Sequence, residues 1–186
     1  MPFVHETARL RVAPMTLADA PALYAYRADP SVTRFQGFAP ESVADAEAFI
    51  EGSLGADLSE PDRWCQVGLF LRETGELVGD MGAKRFGYDG AHAEVGFTIA
   101  PGHQRRGLAT EAVHALLAYL FDDLSLHRAI GSVDPANVGS RALLERLGMR
   151  QEAHFVKAYW FRDRWVDDVV YAMLREEWGA LTPPSP

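Results

Sequence analysis

The chain has 186 residues, the size of one domain with a full core, and its 48% apolar and 24% charged residues are the proportions of a folded globular protein. Its net charge of −8 argues against nucleic acid and anionic membranes as partners and favours cationic or neutral ones. The one cysteine, Cys65, excludes an internal disulfide or a cysteine-built metal site, and no apolar run or basic leader marks a membrane span or secretory signal, so a cytoplasmic protein without a metal is expected.

In chain order, residues 9–13 alternate and predict a first strand. Thr16 is placed to cap a helix over residues 17–28, which Asp29-Pro30 should end. Ser42 caps a second helix over residues 43–54, and Asp45 completes a capping-box pattern. Residues 64–71 and 77–84 read as strands joined by a turn at Thr74-Gly75-Glu76. A second hairpin-like turn, residues 87–90, leads to a strand over residues 93–99, where Gly96 suggests a bulge or a close backbone approach. A helix over 110–121, a strand over 128–133 and a helix over 138–147 follow, the last closed by Gly148 at a C-cap position. Strands over 150–157 and 166–174 complete a single domain spanning residues 1–178. Residues 179–186, ending in Pro183-Pro184-Ser185-Pro186, read as a disordered tail. The mixture predicts an α+β fold, or α/β with a mixed sheet, of about seven strands flanked by four or five helices. The edge strands of such a sheet are open to pairing into a homodimer.

The segment richest in chemistry lies between the strand at 93–99 and the helix after it: Gln104, Arg105, Arg106, Gly107, Leu108, Ala109 and Thr110. A glycine-containing strand-to-helix turn gathers backbone N–H groups, and the helix start adds about half a positive charge. Together these suit phosphate oxygens. The segment lacks the Gly-Lys-Ser/Thr of a P-loop and the spaced glycines of a dinucleotide fingerprint. An ordinary turn with two solvated arginines is the competing reading.

The run from Gln104 to Ala109 resembles the Gln/Arg-x-x-Gly-x-Gly/Ala acetyl-CoA signature of the GNAT N-acetyltransferase superfamily. Asn137-Val138-Gly139-Ser140, continuing to Leu147-Gly148-Met149, resembles that superfamily's Asn-x-x-Ser helix and the turn after it. The end of the chain, from Trp165-Val166-Asp167-Asp168 to Trp178, is similar to the RimJ/RimL-like branch, which acetylates ribosomal-protein N-termini. The resemblance covers residues from about 7 to 178, and the order and spacing of the motifs are more specific than any one of them. It implies acetyl-CoA as co-substrate, wedged between two splayed parallel strands, and an amine acceptor that is a protein N-terminus or a small molecule.

Acetyl transfer to an amine needs a held and polarised thioester, a neutral amine and a proton for the leaving thiolate. The resemblance implies that the backbone of Phe97, Thr98 and Ile99 holds the pantetheine and polarises the carbonyl. Glu94, at the start of that strand, is the leading candidate for the base, with a structural carboxylate as the alternative. His92 is a weaker candidate. Asn137 is placed to cap its helix and, by resemblance, to contact the pantetheine arm; Ser140, one turn on, matches a residue proposed in the RimJ/RimL-like branch to protonate the thiolate. Many GNAT enzymes carry a tyrosine seven residues after the asparagine, but that position here is Leu144, leaving Ser140, Tyr159 or water as the acid. The aromatic residues Tyr159, Trp160, Phe161 and Trp165 read mainly as core or hairpin packing. The resemblance implies that Asp167 and Asp168 belong to the branch's structural Trp-x-Asp pattern, with contact to a substrate amine the alternative for one of them. Arg27, Arg34, Phe35, Phe38 and Trp64 fall where GNAT enzymes build the acceptor pocket, without selecting a substrate. A succinyl- or other acyl-CoA transferase, and a catalytically silent acyl-CoA-binding sensor, are the alternatives.

Overall fold

The early helices begin where their capping side chains stand in the computed structural model, which describes residues 3–58, 60–87 and 89–180. The Thr16 N–H and hydroxyl both donate to Asp19, at 2.7 and 2.9 Å, and start a 3₁₀ turn that runs into α1, Ala20–Arg27. Asp29-Pro30 ends α1 as expected, but it also starts a further helix, α2, Pro30–Thr33. Asp29 accepts from the Ser31 N–H at 2.8 Å, and the fixed φ of Pro30 suits a first helical position. Ser42 accepts from the Asp45 N–H at 3.2 Å and Asp45 accepts from the Ser42 N–H at 2.9 Å, so the capping box closes ahead of α3, Val43–Ser53. A cap of this kind stabilises its helix by about 1 kcal/mol.

Among the described residues there are eight strands and six α-helices. The strands are β1 (His5–Glu6), β2 (Leu10–Ala13), β3 (Trp64–Leu71), β4 (Leu77–Phe86), β5 (His92–Ile99), β6 (Arg128–Val133), β7 (Arg150–Phe161) and β8 (Arg164–Leu174). The remaining helices are α4 (Leu108–Ala118), α5 (Val138–Arg146) and α6 (Arg175–Trp178). Strand order is β1-β2-β3-β4-β5-β6-β8-β7; β5 runs parallel to β6, while β6 and β7 run antiparallel to β8, which makes the sheet mixed. The strand beyond the predicted set is the two-residue β1, and the added helices are the four-residue α2 and α6, all too short to leave a periodic signal.

The chain divides into two compact units. One comprises residues Met1–Arg85 and Gly96–Ala115. Its core joins Met15, Leu23, Tyr26, Ile50 and Phe70, whose burial contributes about 1.5–3 kcal/mol for each large side chain. Met81, on β4, is fully buried as well. The other comprises Phe86–Val95 and Leu116–Pro186 and buries Phe121, Leu144, Tyr171 and Met173.

Helix α4 starts two residues before the predicted boundary because Gly107 serves as its cap, its carbonyl accepting from the Glu111 N–H at 3.1 Å. The helix continues into a π-helical turn, Tyr119–Asp123, closed by Leu124 N–H donating to the Tyr119 carbonyl at 3.0 Å. Gly148, at φ 86°, ends α5. The N–H groups of Met149 and Gly148 reach back to Leu144 and Glu145, each at 3.0 Å, in the paired pattern of a Schellman motif. Strands β7 and β8 run longer than predicted because the turn between them is only Arg162-Asp163, both left-handed at φ 46° and 63°. The register shifts between Phe155 and Tyr159, where Lys157 is left-handed at φ 50° and donates its N–H to Asp167 at 2.8 Å. Trp160 and Trp165 pair edge-to-face across this hairpin, with ring centroids 5.5 Å apart, but they are 57% and 56% exposed. They are hairpin residues, not core. The predicted turn at residues 87–90 keeps its Gly90 N–H to Gly87 carbonyl bond at 3.1 Å, and Tyr88 within it lies outside the described residues. Of the predicted tail, residues 181–186 also lie outside them.

Candidate functional site

The first unit carries the glycine turn. After β5 a 3₁₀ turn over Pro101–His103 leads to extended Gln104. Arg105 is left-handed at φ 60° and Gly107 at φ 77°, so the backbone reverses twice before α4. Left-handed φ is costly for arginine and easy for glycine, which explains Gly107 and marks Arg105 as a strained position. The first i→i−4 bond of α4 belongs to Glu111, leaving the N–H groups of Leu108, Ala109 and Thr110 ahead of the helical ladder at its positive end. Glu111 would set a negative charge there, but it is neutralised. The Arg9 Nε lies 2.6 Å from it, and the Thr7 hydroxyl and Arg9 N–H also donate to it. Burial opposes ionisation of Glu111, and these donors outweigh it and hold the carboxyl below its ordinary range. Arg9 also donates to the Arg106 carbonyl at 2.8 Å, and the Arg106 guanidinium meets His103 Nδ1 at 3.1 Å. Arg105, Arg106 and Gly107 are all exposed.

The end of β5 sets backbone groups on two sides. The Thr98 carbonyl and the Ala100 N–H face β4: a Cβ on Gly79 would stand 2.3 Å from that oxygen, and the Ala100 N–H donates to Val78 at 2.9 Å. The Phe97 and Ile99 carbonyls face the other way and meet side-chain amides, Gln36 Nε2 at 3.4 Å and Gln104 Nε2 at 3.0 Å. The β5–β6 ladder pairs His92, Ala93 and Glu94 with Arg128, Ala129 and Ile130. The Thr98 hydroxyl is buried and, among the described residues, without a hydrogen-bond partner. A Cβ on Gly96 would meet the Trp64 ring at 3.6 Å, an ordinary van der Waals contact that leaves room for a side chain, so this neighbour does not require the glycine.

The second unit carries the other candidates. Asn137 caps α5 by accepting the Ser140 N–H at 3.2 Å through Oδ1, which leaves its Nδ2 for another acceptor. Ser140 is half-buried on the first turn of α5. Leu144 is 1% exposed, and its Cδ1 lies 2.9 Å from where a Gly131 Cβ would stand, so an apolar contact occupies the place of the missing tyrosine. Glu94 is half-buried on the face of β5 opposite Ala93 and Val95. The His92 ring contacts Phe86 at 5.5 Å and His127 at 6.0 Å. Tyr159 is 41% exposed; burial first, then the charges of Asp168 and Asp134, raise its hydroxyl pKa and keep it protonated. Asp167 anchors the β7 irregularity through Lys157 N–H and His154, while Asp168 accepts from Ser132 at 2.7 Å. Among the described residues no group of three or more His, Cys, Asp and Glu side chains could hold a metal, and no helix is long and apolar enough to cross a membrane.

The acetyltransferase (GNAT) domain model matches residues 9–150. The chain belongs to the GNAT acetyltransferase family. It is 33% identical over 177 residues to the uncharacterised N-acetyltransferase YnaD of Bacillus subtilis (strain 168), covering 93% of this chain and 98% of that protein. It is 31% identical over 113 residues to the [ribosomal protein uS5]-alanine N-acetyltransferase of Escherichia coli (strain K12), 60% of this chain and 58% of that one. A solved GNAT-family acetyltransferase from Bacillus anthracis superposes with a TM-score of 0.85 at 26% identity, covering 94% of this chain and 99% of that one. The GNAT family is thus shown along with its fold and its acyltransferase character, and relatives of the ribosomal branch are among its matches.

This GNAT chain also holds a polar network that its sequence did not advertise as one. Asp80 is fully buried on β4 and accepts from Tyr26 Oη at 2.6 Å, Arg27 Nε at 3.0 Å, Arg27 Nη2 and Gln66 Nε2. Burial alone would push Arg27 down, but the Asp80 carboxylate reverses this and raises it; burial and then Asp80 raise Tyr26 well above a free phenol. Arg27 therefore belongs to a buried ion pair. The signal was a lone carboxylate at residue 80 inside the otherwise uncharged run of residues 77–83. Of the other acceptor-region candidates, Phe38 stacks on Phe49 at 4.3 Å and Arg34 on Phe35 at 4.4 Å.

Proposed function

We propose that the protein is an acetyl-CoA-dependent N-acetyltransferase that passes the acetyl group directly to a primary amine, a protein N-terminus or a small molecule, while both substrates are bound. The observation that carries this reading is the turn before α4. Gly107 at φ 77° opens the helix start, three N–H groups precede the helical ladder, and the only carboxylate of the first turn is neutralised by Arg9. In this reading the pyrophosphate lies on residues 104–110, with Arg105 and Arg106 beside it. The backbone of Phe97, Thr98 and Ile99 engages the pantetheine and the thioester, the Asn137 amide contacts the pantetheine, Glu94 receives the amine proton, and Ser140 or Tyr159 helps the thiolate leave.

Direct transfer is favoured by the state of the cysteine. Cys65 is 3% exposed, and burial first of all pushes its thiol up, away from the thiolate a covalent intermediate requires. Release of CoA thiol from acetyl-CoA and succinyl-CoA, measured with a panel of N-terminal peptides and small primary amines, tests the reading. Amine-dependent release that is faster with acetyl-CoA is expected. No release with any amine, despite CoA binding, would favour a silent acyl-CoA sensor, and faster release from succinyl-CoA would change the acyl group.

A further inference from the structure

Gln36 lies in the segment after α2, within the first unit, and it bridges two things. Its Oε1 accepts from Arg27 Nη1 at 3.2 Å and its Nε2 donates to the Phe97 carbonyl at 3.4 Å. The direction of this carboxamide is dictated rather than free. Asp80, fully buried, holds the Arg27 guanidinium through Nε and Nη2, and that leaves Nη1 to point at Gln36. A guanidinium only donates, so the oxygen of Gln36 must face it, and the nitrogen must face Phe97. A buried carboxylate thereby fixes a guanidinium, the guanidinium fixes a carboxamide, and the carboxamide fixes one carbonyl on β5.

That carbonyl is on the side of β5 away from β4, as is the Ile99 carbonyl that Gln104 holds at 3.0 Å. Two glutamines, one from the segment after α2 and one from the signature turn, thus pin successive outward carbonyls of the strand. The N–H and carbonyl of a strand residue point to the same side, so fixing the Phe97 carbonyl also fixes the aim of the Phe97 N–H. We propose that Gln36 is a positioning residue for acyl transfer: it holds the Phe97 backbone in the orientation needed at the thioester, with Arg27 and Asp80 holding Gln36 in turn. The inference rests on the functional reading above, in which residues 97–99 engage the thioester. A donor aimed at a developing oxyanion acts through its direction, so small misplacement costs rate rather than cofactor affinity.

Two substitutions separate the roles. Gln36→Glu keeps an oxygen for Arg27 but sets a second oxygen against the Phe97 carbonyl; Gln36→Ala removes both contacts. The expected result is a fall in kcat of about tenfold or more in both variants, measured as CoA release from acetyl-CoA with the fastest amine of the panel. Affinity for CoA alone by calorimetry should be retained, the melting temperature of Gln36→Glu should match that of the parent, and the Phe97 carbonyl ¹³C resonance should shift in both. Parent-like kcat in Gln36→Glu, or a loss of rate that only follows a loss of melting temperature, overturns the positioning role. Failure of the unaltered protein to bind CoA would instead defeat the functional reading, and the inference with it.

Discussion

Gly107 offers a test in which fold stability and ligand binding move in opposite orders. Its φ is 77°, and the nearest atom to an added Cβ is the tip of the Arg9 side chain, 3.4 Å away. Gly107→Ala therefore meets little crowding, since a guanidinium end can shift, but it suffers the left-handed penalty of about 1–2 kcal/mol. For a chain of this size that lowers the melting temperature by about 2–8 °C. Gly107→Asp tolerates the left-handed region better, because its short polar side chain bonds locally, so it should lose less stability than alanine. Its charge, however, would face a bound phosphate. Two unit charges about 5 Å apart at an effective dielectric of about 20 repel by about 3 kcal/mol. Part of that is screened, and a tenfold loss of CoA affinity, about 1.4 kcal/mol, is the least expected. Calorimetric titration with CoA and thermal melts give the two readouts. Alanine should be worse for the melt and aspartate worse for binding. CoA binding to Gly107→Asp at the parent affinity would refute the placement of phosphate here, and equal losses in both variants would refute the electrostatic explanation.

Other expectations follow from the same geometry. Asn137→Ala should cost about 1 kcal/mol of stability by removing the Ser140 cap, and should also raise the Michaelis constant for acetyl-CoA; a lower melting temperature with an unchanged constant would retire the ligand role. Glu94→Gln should lower kcat by about 10²-fold and flatten the acidic limb of the pH–rate profile, whereas normal turnover with an unchanged profile would return Glu94 to a structural role. Glu111→Gln tests the lowered carboxyl that binds Thr7 and Arg9. A depressed pKa contributes stability that is fully present above the unfolded value of about 4.3 and is lost as pH falls through the folded one. The variant should therefore be less stable than the parent at neutral pH, and the difference should shrink in melts below about pH 4; a constant difference across pH would refute the ionic tie.

Periodicity and capping chemistry are local, and they made much of the framework legible. Ser42 with Asp45, Asn137 and Gly148 mark helix ends through bonds within a few residues, and each acts in the structure as its residue type predicts. The glycine turn was equally readable, because a left-handed backbone ahead of a helix narrows the choice of residue at position 107. What the sequence could not contain is pairing over distance. Nothing near residue 9 announces Glu111, and nothing near residue 36 announces Phe97, since a salt bridge or a side-chain bond to backbone leaves no period in the chain. The exposure of Trp160 and Trp165 was hidden for a similar reason: aromatic residues on a strand suit a core until the strands are placed. Here Trp160 lies on the edge strand β7, and Trp165 on the end of β8 that pairs with β7 but runs beyond the β6 ladder. Sequence by itself determined the longer elements, most of their caps and the family signature, because these depend on neighbouring residues, while the short β1, α2 and α6 left no signal. Only tertiary structure decided which carboxylate holds Arg27, which amide meets Phe97 and that Leu144 packs on Gly131, because those choices depend on how helices and connecting segments distant in sequence pack against the strands.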